Sequence, residues 1–489
     1  MRGALMVCGT GSDVGKSHLV AGLCRALHRR GVRIAPFKAQ NMSLNSYVTA
    51  EGLEIGRAQA TQAFAACIEP TVAMNPILLK PTSETGSQVV LRGRPVAELD
   101  AAAYHARKPE LLDAVLGCLA ELRAEHDVVI LEGAGSAAEI NLLDRDIVNL
   151  PVAVAAGIRS IVVGDIDRGG VFAALAGTMA LLPDAQRATV GGFVINKLRG
   201  DPALLLDGTA LLEAHTGTPT LGVLPWVPDV ALDAEDALAL SGPPVRAGGV
   251  PTLDVAVVRF PHLSNATDVD PLGVEPGVGV RWVEHAAALG DPDLVVLPGT
   301  KSTAADLRWL RQVGLADAVH RSSATVLGIC GGYQMLGHRI ADPLGIETAA
   351  GAEVAGLGVL AVATTFDATK VTRQRKGTAL GAAVHGYEIH HGRVEPAGAC
   401  DPWLCLDGEP EGATTADARL LGTSLHGLLE SDDVRAALLR AVARRRGRDW
   451  EPSGASFAAA REAQLDRLGD LVEEHLDLTT IDRLIQEAV

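Results

Sequence analysis

The sequence predicts an α/β fold in two domains, each built on a sheet of mainly parallel strands with helices between them. Short apolar runs alternate with longer helical patterns along most of the 489 residues, about three times the length of a typical domain. Gly contributes 53 residues, as expected where many tight turns join strands to helices. The hydrophobic share is 48% with only 3% aromatics, which indicates a core of Ala, Val and Leu and excludes disorder as the dominant state.

Charge and cysteine usage exclude several functional classes. The chain carries 43 Lys and Arg against 59 Asp and Glu, and the resulting net charge of −16 opposes general nucleic-acid binding. Its seven Cys are odd in number and mostly far apart, so neither a disulfide framework nor a four-thiolate zinc site is predicted. The opening residues do not resemble a signal peptide, and no stretch approaches ~18 uncharged apolar residues. We expect a cytoplasmic protein with neither nucleic acid nor membrane as a partner.

Four segments are predicted along the chain. The strand and helix rhythm lapses where ALDAEDALALSGPPVRAGG ends in Pro and Gly, which indicates a linker. The last fifty residues have apolar side chains spaced three and four apart, typical of helices. The predicted boundaries are a first domain at 1–230, a linker at 231–249, a second domain at 250–440 and a helical extension at 441–489.

The first strand of the chain, ALMVCGT, leads into a glycine-rich loop and then a helix pattern. Backbone amides and a helix N-terminus in this arrangement surround a phosphate, with Lys16 reaching the outer phosphates and the Ser17 hydroxyl binding Mg²⁺. Five residues separate Gly9 from Gly15 where four are usual, a variant that resembles the dethiobiotin synthetase type of ATPase. The alternative is a tight turn that binds no nucleotide. The residues expected to bind ATP here are Gly9, Thr10, Gly11, Asp13, Gly15, Lys16 and Ser17.

Polar side chains end the later strands of this domain, which read HDVVILEGAG, RSIVVGDID and ATVGGFVINKL. Glu132 is the expected acidic partner of Ser17 for Mg²⁺, because it follows a buried run and because EGAG is similar to related ATP-dependent ligases. Asp165 and Asp167 are weaker candidates at the same edge. Asn196 is predicted to contact the adenine, since an amide matches the donor and acceptor edge of a purine.

A buried strand in the second domain, TVLGIC, runs into Cys330, two glycines and a helix. This pattern is a nucleophile elbow, in which the turn exposes the thiol and the helix N-terminus favours its thiolate. The amides of Gly299 and Gly331 are the predicted oxyanion donors. His426, at the end of the last strand-like run, is the predicted base.

A histidine cluster in VHGYEIHHG competes with this assignment. His385, His390 and His391 have a spacing that suggests a metal site, but no carboxylate or thiol stands at a fixed distance from them. We therefore expect a hydrogen-bonded loop beside the thiol site.

The second domain resembles the class I glutamine amidotransferases, in which a Cys within G-x-C-G-G attacks the glutamine amide and a His serves as base. In that class a Glu commonly lies two residues after the His; here Leu428 takes its place and Glu430 follows two residues later. The departure is shared with the amidotransferases of cobalamin synthesis, and it leaves the group that orients His426 open.

Long polar blocks in the first domain resemble the cobyric acid synthase family: PFKAQNMSLNSYVT, GLEIGRAQATQAFAA, MNPILLKPTSETGSQVVLRG and LEGAGSAAEINLLDRDIVNL. The resemblance covers nearly the whole chain. It implies that the b, d, e and g carboxylates of adenosylcobyrinic acid a,c-diamide become amides, giving adenosylcobyric acid, with glutamine, ATP and Mg²⁺. It further implies an acyl phosphate intermediate and ammonia released through a Cys thioester.

An acidic corrinoid needs a partly cationic cleft. Lys38, Arg57, Lys80 and Arg168 lie near the matched blocks and are candidates for it, although each would ordinarily be a surface charge. Glu139, on the loop that leaves the strand carrying Glu132, is the candidate to orient the incoming ammonia or accept its proton. Lys38 and Glu139 are the two residues we assign to the acceptor side.

Two alternatives stay open at this point. A related glutamine-dependent synthetase, such as cobyrinic acid a,c-diamide synthase, shares both domains but lacks the FKAQNMSLNS and MNPILLKP blocks. A P-loop switch ATPase of the partition or septum-placing type shares only the first domain and has no use for a G-x-C-G-G motif.

Overall fold

The computed structural model describes residues 1–82, 86–227 and 251–487 of the chain. The predicted linker at 231–249 lies outside these ranges. The buried apolar runs form strands, as their burial on both faces requires. The strands are, in chain order, β1 Gly3–Gly9, β2 Ile34–Phe37, β3 Gln40–Met42, β4 Ser46–Val48, β5 Glu54–Gly56, β6 Ile77–Pro81, β7 Gly86–Leu91, β8 Arg94–Asp100, β9 Val128–Glu132, β10 Arg159–Asp165, β11 Val190–Leu198, β12 Thr220–Pro225, β13 Leu253–Val258, β14 Val278–Val283, β15 Leu294–Leu297, β16 Thr325–Ile329, β17 Arg339–Asp342, β18 Ala352–Ala355, β19 Val362–Ala379, β20 Ala382–Pro396, β21 Leu404–Leu406, β22 Glu409–Glu411, β23 Ala413–Thr414 and β24 Leu420–Thr423.

Helices alternate with these strands as the longer periodic segments predict. They are α1 Lys16–Arg29, α2 Arg57–Ala65, α3 Ala101–Ala106, α4 Lys108–Glu125, α5 Leu150–Ala156, α6 Val171–Leu181, α7 Asp184–Arg187, α8 Leu206–Thr216, α9 Ala286–Leu289, α10 Thr303–Gln312, α11 Leu315–Arg321, α12 Gly331–Leu336, α13 Asp432–Arg446, α14 Phe457–His475 and α15 Leu478–Gln486. Within the described ranges, no helix is both long enough and apolar enough to cross a membrane.

The chain divides into two compact units. Unit 1 comprises Met1–Ser43, Glu54–Asp233 and Arg461–Val489, and unit 2 comprises Leu44–Leu53 and Ala234–Ala460. This division differs from the predicted boundaries in two places. The ten-residue segment Leu44–Leu53 belongs to unit 2, and the predicted helical extension does not stand apart as a segment of its own.

Unit 1 is built on a six-stranded sheet in the order β12-β11-β10-β1-β9-β2, with every pair parallel. The carboxyl ends of these strands therefore lie at one edge, where open α/β sheets bind ligands. The C-terminal helices close one face, because Leu465 and Leu468 of α14 and Ile481 of α15 are buried in the same core as Leu5 and Val7 of β1. A smaller sheet, β3-β6-β7-β8, completes the unit.

Unit 2 contains a second six-stranded sheet in the order β14-β13-β15-β16-β24-β23, parallel except for the short edge strand β23. A separate sheet runs β18-β17-β19-β21-β22, and the long strand β20 pairs with β19. The carboxyl ends of β13, β15, β16 and β24 meet at one edge of the six-stranded sheet.

Candidate functional site

The P-loop of unit 1 connects β1 to α1. Lys16, at the start of the helix, is 7% exposed, and its Nζ donates to Gly11 O at 2.8 Å and to Gly135 O at 3.0 Å. These carbonyls hold the ammonium across the loop, the position from which a lysine reaches the outer phosphates of a nucleotide.

Asn196 at the end of β11 supports the backbone of this loop. Its Nδ2 donates to Val14 O at 2.9 Å. Gly15 has a φ of 96°, and a Cβ built there would lie only 2.0 Å from the same Nδ2, so only glycine fits. The structure thus gives Asn196 a role in holding the loop, while the adenine contact stays a prediction.

Glu132, at the end of β9, is the centre of a buried polar cluster. Ser17 Oγ donates to its Oε1 at 2.8 Å, and Lys38 Nζ donates to the same oxygen at 3.0 Å. Gln62 Nε2 donates to Oε2. Burial alone would raise the pKa of this carboxyl, but the Lys38 charge and the hydrogen bonds hold the pKa of Glu132 below its ordinary value. The site therefore presents an ionised carboxylate beside the Ser17 hydroxyl.

Two weaker metal candidates are engaged elsewhere. Asp165 accepts from Lys197 Nζ at 2.8 Å, and Asp167 accepts from Arg199 Nε at 2.6 Å. Both carboxylates form ion pairs at the carboxyl edge of the sheet, which leaves Glu132 as the acidic side chain that contacts Ser17.

The predicted acceptor-side residues lie in contrasting surroundings. Lys38 is 2% exposed and paired with Glu132, whereas Glu139 is exposed on the loop after β9. Lys80 and Arg57 are buried, contrary to the expectation of surface charges, and Lys80 Nζ lies 2.6 Å from Glu54 Oε1. Arg168 is the exposed member of the set.

Cys330 in unit 2 follows β16 directly and caps the N-terminus of α12. Its φ of 51° and ψ of −109° are rare for a residue with a side chain, and its amide donates to Thr423 O at 2.8 Å. This is the strained strand-to-helix turn that the G-x-C-G-G pattern predicts.

Both predicted oxyanion glycines border this turn. A Cβ on Gly299 would lie 2.9 Å from His426 Cε1, and a Cβ on Gly331 would lie 2.6 Å from Thr300 Cγ2. Neither position admits a side chain without a shift of its neighbours. Gly331 is also the first residue of α12, where backbone amides have no partner within the helix.

His426 follows β24, the strand paired with β16, and its ring is held by Asp268. Nδ1 donates to Asp268 Oδ2 at 2.6 Å, and the amide of Gly427 donates to Oδ1 at 2.8 Å. This contact fixes the tautomer and leaves Nε2 as the ring nitrogen that can exchange a proton with Cys330. Burial lowers the pKa of an imidazole, but Asp268 and Cys330 together raise the pKa of His426 to about 10. At neutral pH the ring of His426 therefore holds a proton on each nitrogen, the form that can donate to a leaving group.

Asp268 is the functional residue that sequence reasoning missed. It takes the orienting role for which neither Leu428 nor Glu430 was a satisfactory candidate, and it lies 158 residues before the histidine. The available signal was its place in PHLSNATDVDPL, shortly after the carboxyl end of β13, where polar residues of a parallel sheet gather.

The competing histidines lie on β20 and not in a loop. His390 Nδ1 donates to Gly392 O at 2.7 Å, His391 Nδ1 lies 3.0 Å from Asp367 O, and His385 Nδ1 lies 3.3 Å from Ser431 Oγ. Burial lowers the pKa of His390 to about 4, so this ring is neutral at pH 7. The described parts of the chain hold no group of three or more His, Cys, Asp or Glu arranged around a metal position.

Comparison with known proteins accounts for both units. Residues 5–239 match the CobQ/CobB/MinD/ParA nucleotide binding domain, and residues 254–434 match the CobB/CobQ-like glutamine amidotransferase domain. The chain is 53% identical over 513 residues to a cobyric acid synthase of Nocardia farcinica, covering 100% of this chain and 97% of that protein. Identity to the cobyric acid synthase of Streptomyces coelicolor is 53% over 501 residues, covering 99% and 97%. Identity to the cobyric acid synthase of Sorangium cellulosum is 49% over 512 residues, covering 98% of each chain.

Proposed function

The chain belongs to the cobyric acid synthase family, and on that premise we propose how its two sites divide the reaction. The enzyme is a glutamine-hydrolysing ligase that carries out glutamine-dependent amidation in cobalamin synthesis. We assign ammonia production to unit 2 and carboxylate activation to unit 1. The observation that carries this assignment is the triad of Cys330, His426 and Asp268, a nucleophile, a proton carrier and its orienting group, which a P-loop switch would not need.

The first half-reaction is glutamine hydrolysis at the triad. The Cys330 thiolate attacks the side-chain amide carbon, and the oxyanion is stabilised by the amides of Gly299 and Gly331. The His426 imidazolium gives its proton to the nitrogen, ammonia leaves, and a thioester remains. Water activated by the now neutral His426 cleaves the thioester to glutamate, while Asp268 keeps the ring in place throughout.

The second half-reaction is carboxylate activation at the P-loop. An oxygen of the acceptor carboxylate attacks the γ-phosphorus of ATP, ADP leaves, and an acyl phosphate forms. Lys16 stabilises the charge on the outer phosphates as they separate. Ammonia then attacks the acyl carbon, phosphate leaves with the carbon–oxygen bonding pair, and the nitrogen loses a proton to give the amide.

Mg²⁺ suits the oxygen donors beside the P-loop, because Ser17 Oγ and Glu132 Oε1 are 2.8 Å apart and both are ligands of the type it prefers. These two residues would hold the ion. When bound, it neutralises charge on the phosphates.

We propose adenosylcobyrinic acid a,c-diamide as the acceptor, amidated at its b, d, e and g carboxylates to adenosylcobyric acid in the cytoplasm. The full-length match to cobyric acid synthases supports this choice over cobyrinic acid a,c-diamide synthase. Glutamine-dependent ADP formation measured against a panel of carboxylated corrinoids tests it. Response to the a,c-diamide supports the proposal, and response only to corrinoids whose a and c carboxylates are free refutes it.

Asp268→Asn tests the role of the missed residue. An amide in place of the carboxylate no longer stabilises the imidazolium, so we expect the kcat of glutamine hydrolysis to fall about 10²- to 10⁴-fold. The alkaline limb of the pH profile should shift as well. It is set by the raised pKa of His426, about 10, and it moves to lower pH in the variant because the protonated ring is less favoured without the carboxylate. Initial rates of glutamate release between pH 7 and 11 measure this limb.

Glu430→Gln is the matched control for this substitution. It removes the carboxylate nearest to the usual position of the third group, and we expect a change in kcat of no more than about twofold. A large loss in Glu430→Gln together with an unaltered Asp268→Asn enzyme would contradict the assignment.

Glu139→Gln tests the acceptor side. If Glu139 orients ammonia or accepts its proton, the variant should bind ATP normally but form amide about ten-fold more slowly. Acyl phosphate then loses its phosphate to water, so the ratio of ADP formed to amide formed should rise above one. A normal rate of amide formation with an ADP-to-amide ratio near one would contradict the assignment of Glu139 to the acceptor side.

Glu132→Gln separates this effect from a defect in metal binding. Because it removes a formal charge from the proposed Mg²⁺ ligand, it should weaken Mg²⁺·ATP use for every carboxylate. The two variants are distinguished by ATP affinity, which should fall in Glu132→Gln and stay normal in Glu139→Gln.

A further inference from the structure

Residues 44–53, here called the brace, fold with unit 2 although in sequence they lie inside the nucleotide-binding match at 5–239. The brace contains β4 and a turn closed by the amide of Thr49 donating to Leu53 O at 2.8 Å. Asn45, Ser46 and Val48 are at most 1% exposed. This part of the brace is therefore packed inside the protein.

One side of the brace holds Tyr387 of β20. The Tyr387 hydroxyl donates to Ser46 O at 2.9 Å, and the ring of Tyr47 meets the ring of Tyr387 edge-on with centroids 5.5 Å apart. Val48 packs in the same small apolar cluster as Tyr387, and Gln374 Nε2 donates to Val48 O at 2.9 Å. The tyrosine is thus fixed by hydrogen bonding and by packing at once.

Tyr387 in turn covers one face of the imidazole of His426. The two rings are stacked, with centroids 5.5 Å apart and an angle of 20° between their planes. Their backbones exchange two hydrogen bonds, of 3.0 Å from Tyr387 N and 2.8 Å from His426 N. Any tilt of the tyrosine ring therefore changes the space available to the histidine ring.

The other side of the brace holds the segment that carries Asp268. Ser46 N donates to Asn265 Oδ1 at 2.9 Å, and Ala266 N donates to Asn45 Oδ1 at 3.1 Å. These bonds fix the first turn of the 3₁₀-helix Ala266–Val274, on which Asp268 lies. The brace thereby contacts both supports of the His426 ring: Tyr387, which stacks on the face of the ring, and the turn carrying Asp268, which binds Nδ1.

We infer that the brace is a positioning element for the His426 base, acting through Tyr387 on one side and through the Asp268 turn on the other. This inference rests on the proposed role of His426 in glutamine hydrolysis. Proton transfer to the leaving nitrogen demands a ring held within a few tenths of an ångström, and two supports tied to one short segment provide that restraint. Because the brace contacts the supports of the base, its loss should lower kcat more than it changes the KM for glutamine.

The test compares Asn45→Ala and Tyr387→Phe, each of which removes one hydrogen bond between the brace and a support. We expect each to lower the kcat of glutamine hydrolysis about 3- to 10-fold with KM within about twofold of wild type. Tyr387→Leu, which also removes the stacked ring, should lower the kcat of glutamine hydrolysis further than either of these variants. Glu51→Gln, on the exposed turn of the brace, is the matched control and should retain full activity.

Two further measurements separate positioning from misfolding. Amidation driven by free ammonia should stay at the wild-type rate in each variant. The rate at which iodoacetamide alkylates Cys330 at one fixed pH, followed by mass spectrometry of its peptide, should fall in Tyr387→Leu, because a displaced His426 ring no longer activates the thiol. Wild-type kcat in both Asn45→Ala and Tyr387→Leu would overturn the inference, as would a rise in KM with kcat unchanged. If Cys330→Ser still used glutamine, the proposed function itself would fail, which is a distinct result.

Discussion

Cys330→Ser is expected to abolish glutamine-dependent amidation, with a loss of at least about 10³-fold, while amidation by high concentrations of free ammonia continues. A serine hydroxyl beside His426 is a far weaker nucleophile than a thiolate stabilised by an imidazolium, so the thioester does not form. The P-loop site keeps every residue it needs. Amide formation is measured with each nitrogen donor in turn, at matched ATP and corrinoid concentrations.

Ammonia-dependent activity is the internal control of this experiment. Because it reports on unit 1 alone, a normal rate shows that the variant is folded and that only ammonia production is lost. Equal loss with glutamine and with ammonia would count against two separate sites. Unimpaired use of glutamine would remove Cys330 from the mechanism.

Lys16→Ala is expected to lower amidation about 10²- to 10³-fold with either nitrogen donor. This differs from Cys330→Ser, which should lose only the use of glutamine. The Lys16 ammonium, held by the carbonyls of Gly11 and Gly135, is placed to neutralise charge on the outer phosphates, and phosphoryl transfer cannot proceed efficiently without it. Alkylation of Cys330 by a glutamine analogue should be unchanged, which shows that unit 2 is intact. Retained ammonia-driven synthesis in this variant would show that the P-loop assignment is wrong.

The parallel sheets were predictable because strands buried on both faces are uninterrupted apolar runs, and β1, β9, β10 and β16 are of this kind. The long strand β19 was not, since VATTFDATKVTRQRKGTA is polar over most of its length and its pairing with β20 supplies the order. The places of the brace and of α14 depend on contacts between residues distant in sequence. Periodicity within a segment carries no information about such partners.

The residues of the candidate site also divide into those that local sequence predicts and those that depend on contacts between distant segments. Cys330 and Lys16 stand in short motifs whose local backbone makes the site, so spacing alone identifies them. Asp268 has no motif, because a carboxylate that orients a histidine needs only to reach Nδ1 in space. Lys38 was assigned to the acceptor side from its neighbourhood in sequence, whereas the fold pairs it with Glu132.

The division of labour between the two sites is tested most directly by following nitrogen from glutamine into the corrinoid. Purified enzyme is given glutamine labelled with ¹⁵N at the side-chain amide, unlabelled ammonium, ATP, Mg²⁺ and adenosylcobyrinic acid a,c-diamide. The mass of the corrinoid product is then measured by mass spectrometry, and the amounts of glutamate and ADP formed are quantified. We predict four new amides per corrinoid, each carrying ¹⁵N, with one glutamate and one ADP formed for each. A corrinoid that gains no labelled amide while glutamate and ADP accumulate would contradict the account.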